Sequence, residues 1–194
     1  GEHLRENGFT ESQINSSIAS VFNRLIVPGS EHRLPLWCST VSLDEILNDR
    51  LAGSGDNRFY RVSEALLKVS EGLEKYLRQR ETSLFNLDDS IVLYDLTNSY
   101  FEGECERNPK AKRGKSKEKR DDCRLLSLGL VVDKVGFVLG HEVFEGNRND
   151  SKTLLNMIRI LSRYRQNQSK SVVVIDGGIA TKENLKCLKE NGYE

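Results

Sequence analysis

Two short runs, Ile91-Val92-Leu93-Tyr94 and Val172-Val173-Val174-Ile175, contain only β-branched, leucine or aromatic residues, and each closes on an aspartate, Asp95 and Asp176. Four such residues in succession, without polar alternation, read as a strand buried in a sheet. Helical periodicity lies between and after the two runs, so this half of the chain is expected to be α/β. Both aspartates then stand at the C-terminal ends of strands, where ligands collect in open α/β sheets. If the strands lie side by side, the two carboxylates emerge at one edge and repel unless a hard divalent cation sits between them. Mg²⁺ takes one or two carboxylates with water and phosphate oxygens, and metal pairs ~3.5–4 Å apart serve in-line phosphoryl transfer. The alternative is that each aspartate caps a turn, in Asp95-Leu96-Thr97-Asn98 and Asp176-Gly177-Gly178.

The first half reads differently. Ile14, Ile18, Val21, Phe22 and Leu25 recur at helical steps and define one apolar face, and Pro28-Gly29-Ser30 stops that helix. Ser42 with Glu45 predicts a capping box on a helix through Leu51. After the turn Ser54-Gly55-Asp56-Asn57, one long helix is expected, with Val62, Leu66, Val69, Leu73, Tyr76 and Leu77 on its stripe. Residues 1–88 are thus expected to form a helical module without a catalytic constellation.

From residue 89 onward the expected order is strand, strand, strand, helix, strand, helix. The first strand ends at Asp95. Leu125–Asp133 and Phe137–Phe144 form a hairpin about Lys134-Val135-Gly136. A helix runs from Asn149, Asp150 or Ser151 to about Arg165, with Leu154, Leu155, Ile158 and Leu161 inward. The last helix, Lys182 to Asn191, is capped by Thr181.

The 194 residues carry 29 basic and 29 acidic side chains, so net charge is zero, but the distribution is uneven. Between Arg107 and Arg124 nine basic residues face three acidic ones, leaving the remainder net negative. A focused basic stretch on an acidic body suits a polyanionic partner, although a solvated loop has the same composition. No apolar run is long enough for a membrane span. Cys38, Cys105, Cys123 and Cys187 are too scattered for a zinc or CxxC motif, which favours reduced thiols. His141 is a lone strand histidine, and Gly177-Gly178-Ile179 lacks the rest of a nucleotide-binding motif.

Five blocks in order carry a family resemblance. Tyr94-Asp95-Leu96-Thr97 with Tyr100-Phe101-Glu102 resembles the first-aspartate block of DDE-type insertion-sequence transposases of the insertion-sequence-four superfamily. The stretch from Gly114 to Asp122 is similar to their GYSKDxRPD segment, with Asp121 where the family has proline. Leu128–Asp133 with Gly136 and Phe137 resembles the second strand and hairpin, and Gly146–Ser151 the GNxxD block. Val174-Ile175-Asp176-Gly177-Gly178, with Glu183, Asn184 and Leu188, resembles the second-aspartate block, with Gly177 where members mostly have arginine or alanine.

The resemblance implies an N-terminal helical DNA-binding or dimerisation module (1–88) and the first part of an RNase H-like mixed sheet (89–194). It implies DNA cleavage and strand transfer with Mg²⁺ or Mn²⁺, Asp95 bridging two metals and Asp176 holding one. Lys112, Arg113, Lys115, Lys117, Lys119 and Arg120 are implied to neutralise phosphates of double-stranded DNA, both transposon ends and target. The active complex is implied to be a homo-oligomer in the prokaryotic cytoplasm, associated with the nucleoid and not with a membrane. The family's third acidic ligand, a glutamate on a late helix, lies beyond Glu194, so a partial chain is expected. A truncated or inactive remnant that only binds DNA or a partner is the alternative.

Overall fold

The computed structural model describes residues 1–115, 120, 122–164 and 171–194. The chain divides into two compact units, Gly1–Leu77 and Arg78–Glu194.

The first unit is helical: α1 (Glu2–Glu6), α2 (Glu11–Ile26), α3 (Leu34–Cys38), α4 (Leu43–Leu47), α5 (Asn57–Lys68) and the start of α6 (Ser70–Phe85). Thr10 starts α2 with a reciprocal capping box: Gln13 N donates to Thr10 Oγ1 (3.3 Å) and Thr10 N to Gln13 Oε1 (2.9 Å). The stripe expected on α2 holds only at its N-terminal end. Ile14 is buried, whereas Val21 and Leu25 are exposed and the small residues Ser16, Ser17 and Ala19 are buried instead. Small side chains let a neighbour approach closely, and Arg58 of α5 uses the space to donate to Ser16 Oγ (2.6 Å) and Ser12 O (3.0 Å).

Two further expectations fail here for local reasons. Ser42 makes no capping bond; the carboxylate that organises this segment is Asp44, which accepts from Leu51 N and Ala52 N at 3.0 and 3.1 Å. The helix accordingly ends at Leu47, with left-handed Asn48 after it. The single long helix is two helices parted at Val69, because Ser70 Oγ donates back to Leu67 O (2.9 Å) and competes with the helical ladder. Val62 is buried with Leu4, Phe9 and Ile14, against which Leu66, Val69 and Leu73 pack; Leu77 is exposed.

The second unit is built on β1 (Ile91–Phe101), β2 (Arg124–Asp133), β3 (Val138–Glu145) and β4 (Val172–Ile175), in spatial order β3-β2-β1-β4. β1 pairs antiparallel to β2 and parallel to β4, and β2 pairs antiparallel to β3, giving the expected mixed sheet. Strand alternation sends Val92, Tyr94, Leu96 and Val131 to one face, where they bury against α7 (Leu154–Tyr164) and α8 (Lys182–Glu190). Leu154, Met157, Ile158 and Leu161 supply the α7 side of this core. Leu155, expected inward, is exposed: a 3-10 turn over Asp150–Lys152 precedes α7 and sets its phase. Thr181 caps α8 as expected, accepting from Asn184 N at 3.2 Å.

β1 does not end at Asp95. It runs on to Phe101 because β2 pairs with it without interruption from Val92↔Asp133 to Phe101↔Arg124. Asp95 is therefore an interior strand residue.

The segment leading to the basic stretch is fastened to the hairpin by backbone. Lys112 and Leu125 exchange N–H···O bonds (3.2 and 2.8 Å), and Gly146 N donates to Lys110 O (3.1 Å). The approach is so close that a Cβ on Gly146 would lie 2.1 Å from Leu125 O, and one on Gly114 2.3 Å from Gly146 O. Both obstacles are backbone and cannot rotate away. Gly146→Ala is therefore expected to destabilise this unit by about 3 kcal/mol, the upper part of the overpacking range. A lowered denaturant midpoint checks it; an unchanged midpoint would mean that this contact is not kept in solution.

Candidate metal-binding and nucleic-acid site

The parallel ladder between β1 and β4 fixes the position of the two aspartates. Its last pair is Tyr94↔Ile175, so Asp95 and Asp176 follow immediately on adjacent strands. Strands in a sheet lie ~4.8 Å apart, which sets the scale of the separation between their backbones. Tyr94 and Ile175 face the core, and alternation turns Asp95 to the opposite face, on the row of Ile91 and Leu93. Both aspartates are exposed.

The turn-capping alternative makes a specific demand, that the carboxylates accept local N–H groups. They do not. The chain passes Asp95–Asn98 as extended strand. After β4 it is the Asp176 carbonyl, not the carboxylate, that accepts from Ile179 N (2.9 Å) and Ala180 N (3.1 Å). Neither carboxylate takes part in a hydrogen bond or ion pair with any described residue. Two unspent carboxylates at one place offer hard oxygen donors only, the donor set suited to Mg²⁺ or Mn²⁺. Among the described residues no group of three or more His, Cys, Asp or Glu side chains could hold a metal.

The basic residues are distributed otherwise than as one patch. Lys112 is half-buried at its bridge to Leu125, and Lys115 is exposed, its carbonyl accepting from Asn98 Nδ2 (3.3 Å). Asn98 Oδ1 in turn accepts from Ser127 Oγ (2.8 Å), so Asn98 ties the start of the basic stretch to β1 and β2. Nothing in the sequence pattern marked Asn98, which read as part of a turn. Arg120 forks onto Asp122 through Nε and Nη2 (2.9 and 3.0 Å) and lies over the Tyr100 ring, 4.8 Å from its centroid. That fork holds the Asp122 carboxyl well below the usual carboxylate range. Tyr100 is five residues along β1 from Asp95, ~17 Å at strand rise. Lys117 and Lys119 lie outside the described residues.

Arg113 and Arg120 meet in a pocket of about 230 Å³ at the Phe101 end of β1, lined also by Glu102, Glu104, Asp122, Cys123 and Arg124. Arg124 is the last residue of the basic stretch, and its place follows from the Phe101↔Arg124 pairing.

Comparison with known proteins bears on the same region. A family model described as Transposase DDE domain matches residues 86–194. No curated protein matches the chain. Among solved structures, the chain is similar to one described as a pre-cleavage Mos1 transpososome, at 13% identity and TM-score 0.38, over 92% of this chain and 57% of that one. A Mos1 transposase paired-end complex with left transposon end gives 14% identity and TM-score 0.39, over 92% and 57%. A Mos1 mariner paired end complex with Mn gives 15% identity and TM-score 0.37, again over 92% and 57%. The chain thus spans less than two thirds of the length of these structures.

Proposed function

The chain belongs to the Transposase DDE domain family, and from that premise we propose that it carries the first two metal-binding carboxylates of a DNA transposase. The observation that carries the reading is the β1/β4 register, which brings Asp95 and Asp176 together, exposed and unspent, from points eighty-one residues apart in the chain. Asp95 and Asp176 would hold Mg²⁺ or Mn²⁺. When bound, such a cation neutralises charge on a phosphodiester and favours attack by water or a DNA 3′-hydroxyl.

The rest is done by the chain itself. The sheet holds the two carboxylates at fixed spacing, and Lys112, Arg113, Lys115 and Arg120, with Lys117 and Lys119, meet the phosphates of double-stranded transposon ends and target. The helical module through residue 88 serves end binding or dimer formation in a homo-oligomeric complex. Among the described residues no helix is long and apolar enough to cross a membrane.

Phosphate neutralisation releases counterions, so log affinity falls with log salt by about 0.9 per contact. Replacing Lys115 by alanine is therefore expected to reduce the salt slope for a duplex by about 0.9. Fluorescence anisotropy across a salt series reads it, and an unchanged slope removes Lys115 from the interface. The reading as a whole is tested by metal-dependent nicking of supercoiled plasmid by the full-length protein. Cleavage indifferent to chelation of divalent ions would refute it.

A further inference from the structure

The pocket at the Phe101 end of β1 has a composition that the Asp95–Asp176 site does not use. Three guanidinium groups, Arg113, Arg120 and Arg124, line about 230 Å³. Two of them are held in place. Arg120 is fixed by its fork to Asp122 and by the Tyr100 ring beneath it. Arg124 Nη1 donates to Ala111 O (3.3 Å), while its Nε is shut off from water and has no hydrogen-bond partner among the described residues. A buried donor without an acceptor is destabilising, so this arginine is not placed here for stability alone. Tying Nη1 to a backbone carbonyl orients the planar group and leaves the outer donors on its Nη nitrogens for an oxyanion, which guanidinium recognises through paired N–H bonds. Of the acidic residues lining the pocket, Asp122 is already spent on Arg120, and Glu102 and Glu104 are exposed, where water and salt screen them.

We propose that this pocket seats one backbone phosphate of the DNA, with Arg124 and Arg113 as its ligands and Arg120 as the fixed wall beside them. The assignment rests on the DNA-processing reading above and adds a discrete contact to it. Phe101 lies six residues beyond Asp95 on β1, ~20 Å at strand rise. Duplex DNA advances ~3.4 Å per base pair, so for a duplex laid along β1 the gripped phosphate lies about six base pairs from the scissile one. The pocket therefore sets how far the duplex must extend past the cleavage point to be held.

The test is equilibrium binding of the chain to a 30-base-pair duplex over a KCl series, for wild type, Arg113→Gln, Arg124→Gln and Arg124→Lys, with thermal melting of each. Expected are a slope shallower by about 0.9 for either glutamine variant. Arg124→Lys keeps the slope, since the charge remains, but loses several-fold in affinity at every salt concentration. Arg113 is exposed and its replacement leaves the fold intact, so it carries the test if Arg124→Gln melts early. Wild-type slope in Arg113→Gln, alongside steep salt dependence of the wild type, overturns the pocket and with it the phosphate contact of Arg113, while leaving the rest of the DNA reading in place. A wild type that binds duplex without salt dependence overturns the DNA reading itself, and the pocket with it.

Discussion

Replacing Asp95 or Asp176 with asparagine in the full-length protein is expected to abolish Mg²⁺-dependent nicking, a loss on the order of 10³-fold or more. Removing a single oriented group that stabilises developing charge already costs about 10²–10³. Asparagine keeps the shape of the side chain and removes only its charge. Neither carboxylate is engaged with any described residue, and both are exposed, so nothing in the fold depends on them. The variants should therefore melt as wild type. They should also bind duplex without metal as well as wild type or slightly better, because a negative charge facing the phosphates is gone. Plasmid nicking assays with parallel anisotropy measurements separate the two effects. Cleavage equal to wild type in either variant would take that residue out of the reaction.

Arg78→Ala is expected to destabilise the second unit by about 3–5 kcal/mol, the range for breaking a buried ion pair from one side. Arg78 is buried between Asp133 (2.7 Å) and Asp89, and Asp133 has no exposed surface. The other oxygen of Asp133 accepts N–H groups of Val135, Gly136 and Phe137, each at 2.9 Å, and so shapes the β2–β3 turn. Without Arg78 this carboxylate is an uncompensated charge in the core. Burial by itself would raise the Asp133 carboxyl, but Arg78 and the turn N–H groups together hold it below its ordinary value. A depressed folded-state value means that the stabilisation is present above the unfolded carboxylate pKa of ~3.9 and is lost as pH falls through the folded value. Urea midpoints at neutral pH and below about pH 4 test both parts. Arg78→Ala should lower the midpoint strongly at neutral pH and progressively less in acid. A constant difference across that range would place the effect of Arg78 elsewhere than in its pairing with Asp133.

The sheet was easier to read from the sequence than the helical unit was. Val172–Ile175 is a run whose residue types permit little besides a strand, although only its Val173 and Ile175 face packs on the core and Val172 and Val174 are exposed. Lys134-Val135-Gly136 supplies turn chemistry between two apolar segments. The extension of β1 past Asp95 was hidden because Leu96-Thr97-Asn98-Ser99 has turn-forming composition; a long partner, β2, overrides that preference. The consequence for the site is small, since it is the end of β4 that sets where Asp95 and Asp176 meet. In the helical unit no glycine or proline announces the break at Val69, and the face of α2 is chosen by close packing of serine and alanine, which hydrophobic periodicity does not detect. Arg124 and Asn98 were missed for a related reason: their roles depend on which residue lies across the ladder, not on their neighbours in the chain.

The central claim is that Asp95 and Asp176 share one cation, and Mn²⁺ binding followed by electron paramagnetic resonance tests it most directly. The chain, Asp95→Asn, Asp176→Asn and the double variant are titrated under identical conditions. Ligands to one ion are not independent, so either single substitution should weaken binding by at least about tenfold and the double variant should add little to the larger single effect. Binding undiminished in either single variant, or losses that simply add in the double, would contradict a shared ion.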